Sequence, residues 1–153
     1  MLFRSEPETL EFIDRFVTPG DVFFDVGGNV GMYTLYAALR HPQASVVVFE
    51  PEYSNLHLLR DNVTDNHLNE RVRIYPVAVS DRTGVGALHV QDLTPGAALH
   101  SESPRPLART EAGEPVLMSE GAWTVTLDEF CNQTGQWPNA IKVDVDEIGR
   151  AHV

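Results

Sequence analysis

The chain has 153 residues, 42% of them hydrophobic, enough for a packed core and within the usual size of one globular domain. Its 22 acids against 11 bases give a formal charge of -11, the wrong sign for a phosphate-rich partner, so no nucleic acid is expected. No apolar run approaches a membrane span, and Cys131 stands alone, with no disulfide partner and no companion for a thiolate metal site, which points to a reducing cytoplasm.

The first segment, EPETLEFIDRFV, sets Leu10, Ile13, Phe16 and Val17 on one helical stripe, and Pro19-Gly20-Asp21 ends that helix in a turn. VFFDV, residues 22 to 26, is a continuous apolar run of strand length, the pattern of a parallel strand covered on both faces. From Met32 to Leu39 the apolar spacing becomes helical and stops at His41-Pro42. SVVVF, residues 45 to 49, is a second buried strand followed at once by Glu50-Pro51. Leu56, Leu59 and Val63 mark a further helix, and VRIYPVAV carries a third strand from Val72. This alternation predicts an α/β fold with a doubly wound, mostly parallel sheet and right-handed crossovers.

Beyond Ser80 the texture changes. Gly84, Gly86 and the GALHV run predict an antiparallel excursion. Residues 92 to 120 hold Pro95, Pro104, Pro106 and Pro115 without a sustained period and are expected to form a mobile loop or lid. WTVTLDEF resumes a strand and enters a short helix, and AIKVDVD, residues 140 to 146, is expected to be another buried strand ending in acids. Phe23, Phe24, Val46 to Phe49 and Ile141 read as core, Trp123 and Trp137 as packing residues. The two ends continue no pattern. EIGRAHV fits codons that contain a common short-read sequencing adapter, and MLFRS fits its reverse complement. Residues 1 to 5 and 147 to 153 are therefore expected to be adapter scars, with the natural gene cut at both ends.

In a doubly wound sheet the first strand-to-helix turn faces the ligand crevice at the carboxyl ends of the strands. Here that turn is DVGGNVG, in which Asp25 stands two residues before Gly27, with Asn29 and Gly31 beyond. A dinucleotide fingerprint needs glycines at relative positions one, three and six, and from Gly27 those positions are Gly27, Asn29 and Met32. That fingerprint fails, leaving either a turn that merely bends or one that admits another ligand. Glu50 follows the second strand, where a carboxylate can accept hydrogen bonds from both hydroxyls of a ribose, as any adenosine ligand would require. KVDVD places Asp144 and Asp146 two apart on one face; two such acids are tolerable if one is solvated, protonated or bound to a cation. No His or Cys stands nearby at ligand spacing, so a metal site has no support.

The series DVGGNVGMYT, FEPEYSNLHLLRDN, PVAVSDRTG, TLDEF and IKVDVD resembles, in order and spacing, the FkbM-type S-adenosylmethionine-dependent methyltransferases, over nearly all of residues 6 to 146. Two departures stand out: the family usually carries Ala where Gly28 stands, and its last motif runs from the acid at Asp146 into Gly-Ala-Glu, whereas here it meets the suspected scar. The resemblance implies a Rossmann-like class I methyltransferase fold lacking its C-terminal strands. It also implies S-adenosylmethionine as cofactor, with Asp25, Gly27 and Gly31 around its methionine end, Gly28 and Asn29 also among the cofactor-binding residues, Glu50 on the ribose, Ala78 and Ser80 toward the adenine, and Asp144 beside the reacting centre.

The implied reaction is transfer of the sulfonium methyl to a hydroxyl oxygen of a sugar, glycan or natural-product acceptor. Asp144 is the candidate general base that can be placed near the methyl group. His57, His67, His89 and His100 are rival bases; the first two read as surface residues and His100 as a solvated loop residue. Two other classes share these features: an NAD(P)-dependent oxidoreductase, which would share the sheet and Glu50, and a non-catalytic adenosyl-binding module.

Overall fold

A computed structural model describes residues 7–92, 94, 96, 100–103 and 115–145. The suspected scars, Asp146, the side chain of His100 and much of the expected 92–120 loop lie outside these residues. The elements in chain order are α1 (Pro7–Phe16), β1 (Val22–Val26), α2 (Met32–Arg40), β2 (Ser45–Phe49), α3 (Tyr53–Asp65), β3 (Val72–Tyr75), β4 (Ala78–Val79), β5 (Gly84–Val90), β6 (His100–Ser103), β7 (Met118–Val125), α4 (Leu127–Thr134) and β8 (Ala140–Val143).

Two sheets form. The first is parallel, ordered β3-β2-β1-β8. The chain moves outward from β1 through β2 to β3, then returns to the other side of β1, so strand order reverses between β1 and β8. Such a reversal opens a crevice at the carboxyl ends of the strands. Alternation along β1 divides the core: Phe23 packs with Val46, Val48 and Val72 under α1, α2 and α3, whereas Phe24 and Val26 pack with Val47 and Phe49 against Phe130 and Cys131 of α4. Phe24, Phe49, Tyr75 and Phe130 stack or meet edge to face, with ring centroids 4.7 Å apart at the closest pair. Each buried Phe is worth roughly 1.5–3 kcal/mol against exposure, and these side chains fix the sheet that carries the site.

The second sheet has the order β4-β7-β5-β6 and is the expected antiparallel excursion, apart from a short parallel pairing of β4 with β7. It differs from the sequence reading in two respects. VRIYPVAV is not one strand: Pro76 has no amide hydrogen to give a ladder, so the run splits into β3 in the first sheet and β4 in the second. Within the stretch read as a lid, residues 100–103 pair with β5, and β7 begins at Met118 rather than near Trp123.

Four residues expected to be buried are not. Phe16 is 51% exposed, and the buried side of α1 runs through Ile13 to Val17 instead. Ile141 is 37% exposed because β8 ends the sheet order and Ile141 does not join the cluster under α4. Trp137 precedes that strand and is also exposed, and Trp123 pairs with Val85 on an outward face of the second sheet. No helix among the described residues is long and apolar enough to cross a membrane.

Candidate functional site

The site is built on the turn from β1 to α2. Gly27 adopts φ 75 and Asn29 φ 50, left-handed conformations that glycine takes freely and asparagine tolerates better than most residues. A Cβ on Gly27 would strike the backbone carbonyl oxygen of Asp144 at the end of β8, while the Asp144 amide donates to the Val26 carbonyl at 3.0 Å. Turn and strand end are thus pressed together at the switch point. Gly28 is small for a different reason: a Cβ there would strike Cγ2 of Val48 in β2. This accounts for the departure from the alanine that the family resemblance expects. Gly28→Ala is therefore predicted to cost roughly 1–3 kcal/mol by overpacking. Combined with Val48→Ala it should cost clearly less than the sum of the two single changes, a coupling that a double-mutant cycle in denaturant would read.

Every backbone amide of the turn is engaged within the protein. Gly27 and Gly28 both donate to the Phe49 carbonyl at 3.0 Å, Asn29 to Glu50 Oε2 at 2.8 Å, Val30 to Asn29 Oδ1 at 2.7 Å, and Gly31 to the Gly28 carbonyl at 2.8 Å. A phosphate-binding turn needs such amides pointing at its ligand. This turn spends its amides from Gly27 to Gly31 on its own fold, unlike a cradle that leaves them to a phosphate.

Glu50, 5% exposed, joins the turn to the end of β2. Its Oε1 accepts the Glu52 amide at 2.9 Å and its Oε2 the Asn29 amide. A carboxylate offers about four lone-pair sites; the two amides and the Asn55 side chain take three, leaving one for a ligand. Burial pushes the Glu50 carboxyl above the ordinary carboxylate value; hydrogen bonds from Glu52, Asn29 and the Asn55 side chain oppose that, and the neighbouring Glu52 charge adds to it. Glu52 caps α3 by accepting the Asn55 amide at 2.6 Å. The peptide of Gly96 borders this end: its amide donates to Asn55 Oδ1 at 2.8 Å, and its carbonyl accepts Asn29 Nδ2 at 3.4 Å.

The methionine end of the expected site is more deeply built than the sequence suggests. Asp25 is fully buried and accepts Thr34 Oγ1 at 2.7 Å. Its Oδ1 receives no well-directed hydrogen bond, but the Lys142 ammonium lies 3.1 Å away as counter-charge. Asp25 therefore underlies the turn instead of lining its surface. Asp144 lies just beyond β8 with its side chain 70% exposed and Oδ2 3.5 Å from Lys142 Nζ. Ala78 and Ser80 lie on and just after β4, so they belong to the second sheet; the Ser80 amide donates to the Val125 carbonyl at 3.0 Å. Of the histidines, His57 is exposed beside Asp61, whereas His89 is fully buried with Nδ1 2.9 Å from Ser119 Oγ.

Lys142, Thr34, Asn55 and Glu52 escaped the sequence reading. The signal for Lys142 was available: a lysine inside an apolar strand is almost never buried without a partner, and Asp25 is the lone acid of the neighbouring strand. Thr34 likewise interrupts the apolar stripe of α2.

The parallel order with its reversal between β1 and β8 makes this a Rossmann-like sheet. Sequence comparison bears out the FkbM-type resemblance. Over 67 residues, 44% of this chain, it is 46% identical to the 31-O-demethyl-FK506 methyltransferase FkbM of Streptomyces tacrolimicus, a match spanning 25% of that protein. It is also 39% identical over 46 residues, 29% of this chain, to Methyltransferase 1 of Beauveria bassiana, covering 18% of it. Among solved structures, TYW2 of P. horikoshii in complex with MeSAdo aligns with a TM-score of 0.44 and 18% identity, over 51% of this chain and 29% of that one. No protein-family model matches the chain.

Proposed function

We propose that the chain carries the cofactor-binding part of an S-adenosylmethionine-dependent methyltransferase acting on a hydroxyl oxygen of a sugar, glycan or natural product. The observation that carries this reading is the turn whose amides from Gly27 to Gly31 are all engaged within the protein, beside a buried acid. That arrangement suits a ligand with a ribose and no pyrophosphate, and argues against an NAD(P) oxidoreductase. The 46% identity to an enzyme named for a 31-O-demethyl substrate supports oxygen as the acceptor atom.

Glu50 would hold the ribose through its remaining acceptor site. Gly27, Gly28 and Gly31 would keep the turn low enough for close approach, and Asn29 would border the ribose. Asp25 would act from beneath by fixing α2 through Thr34. When bound, the cofactor supplies an electrophilic methyl group on a sulfonium. Asp144, exposed at the crevice mouth, would take the proton of the acceptor hydroxyl as general base. Ala78 and Ser80 retain a proposed place beside the adenine through the end of β4. The acidic chain and solitary buried Cys131 are consistent with a cytoplasmic enzyme whose acceptor is a small molecule or glycan.

Titration calorimetry of the chain with S-adenosylmethionine and with NAD(P)H, followed by labelled-methyl transfer to a panel of hydroxyl and amine acceptors, tests the reading. Uptake of the sulfonium ligand and labelling of a hydroxyl acceptor are expected. Binding of the dinucleotide alone would overturn it, and labelling of amines alone would overturn the assignment to oxygen.

A further inference from the structure

We propose that Lys142 is a positioning residue: its ammonium ties the glycine turn to the end of β8 and so shapes the place for the amino-acid end of the cofactor. The proposal rests on the methyltransferase reading above. Lys142 lies directly opposite Asp25 in the parallel ladder of β1 and β8. Its Nζ donates to the Gly27 carbonyl at 3.0 Å, lies 3.1 Å from Asp25 Oδ1 and 3.5 Å from Asp144 Oδ2, and sits 5.1 Å from the centre of the Tyr33 ring. An ammonium has three N–H donors, and three oxygens surround this one. They come from the middle of β1, the turn that follows it and the end of β8.

Stability alone does not account for this placement. The Lys142 side chain is 9% exposed and that of Asp25 not at all. Removing two charges from water costs several kcal/mol each, and well-packed apolar residues of similar volume often serve a fold as well or better. What an apolar pair cannot do is hold the Gly27 carbonyl where the chain swings into its left-handed turn, or tether the exposed carboxylate of Asp144. Lys142 does both from one point. The groups it gathers are those the proposed function assigns to the methionine end, whereas Glu50 and Asn29 serve the ribose end on the other side of the turn.

The division gives a test that a purely structural lysine would fail. S-Adenosylmethionine and 5′-methylthioadenosine share the adenosine part, and the second lacks the amino-acid chain. In the full chain, Lys142→Met is expected to weaken S-adenosylmethionine binding by about tenfold or more, the scale of losing hydrogen bonds to a charged group, while 5′-methylthioadenosine affinity changes by less than about threefold. Should Lys142→Met not fold because Asp25 is left buried without a counter-charge, the double variant Lys142→Met/Asp25→Asn carries the same readout. Equal loss for both ligands, unchanged or tighter S-adenosylmethionine binding, or collapse of both variants would overturn the proposal and leave Lys142 a structural counter-ion. If the unaltered chain takes up neither ligand, the methyltransferase reading itself fails, which separates the two outcomes.

Discussion

Gly27→Ala should be among the most damaging single-methyl changes available to this chain, lowering stability by about 3 kcal/mol and abolishing ligand uptake at the crevice. Two costs add. A non-glycine residue at φ 75 pays roughly 1–2 kcal/mol for the left-handed backbone. The new methyl group also meets the Asp144 carbonyl oxygen, a backbone atom held by the Asp144 amide bond to Val26, so relief requires the end of β8 to move. Gly135 provides the control. It has a similar φ of 69 at the end of α4, but a Cβ there meets nothing within 4 Å. Gly135→Ala should therefore show the backbone cost alone, roughly 1–2 kcal/mol. Denaturant melts of the two variants measure the difference, which is the collision at the switch point. Equal losses would mean that turn and strand are less tightly joined than the structure has them.

Glu50→Gln should separate binding from stability. Loss of a charged acceptor for the ribose hydroxyls is expected to weaken S-adenosylmethionine binding by about 10- to 100-fold. The pH dependence carries the finer signature. Because burial raises the Glu50 carboxyl above its unfolded value, the native chain takes up this proton more readily than the unfolded chain does. The ionised group thus costs stability at neutral pH, and the cost is relieved as pH falls through the raised value toward the ordinary carboxylate range. Gln at position 50 does not titrate. The stability of the unaltered chain relative to the variant should therefore rise as pH is lowered through that window, while its affinity advantage for the ligand shrinks. Thermal melts and calorimetry across mildly acidic to neutral pH follow both trends. A stability difference that moves the other way would show that Glu50 is better solvated than its 5% exposure implies.

The first sheet was legible because its strands are short, almost wholly apolar and separated by helical patterns, so periodicity alone set β1, β2 and their crossovers close to the observed bounds. Glu50 and the glycine turn could be placed for the same reason, since a parallel sheet brings the ends of its strands to one edge. What periodicity does not carry is partnership across strands. Lys142 and Asp25 are far apart in the chain, and only the β1–β8 register makes them neighbours. Ile141 misled because an apolar residue in a strand reads the same in the centre of a sheet as at the end of one. Pro76 is a readable signal: with no amide hydrogen, it divides an apparently continuous strand between two sheets and sets Ala78 and Ser80 on the second.

The engaged amides of the turn have one more consequence. Cells hold abundant nucleotides that carry the same adenosine portion with a polyanionic tail, and any pocket that recognises adenosine must contend with them. At the proposed site that tail would meet amides already engaged from Gly27 to Gly31 and the acidic Asp144 beyond β8, so discrimination against such competitors would come from the turn and its acids together.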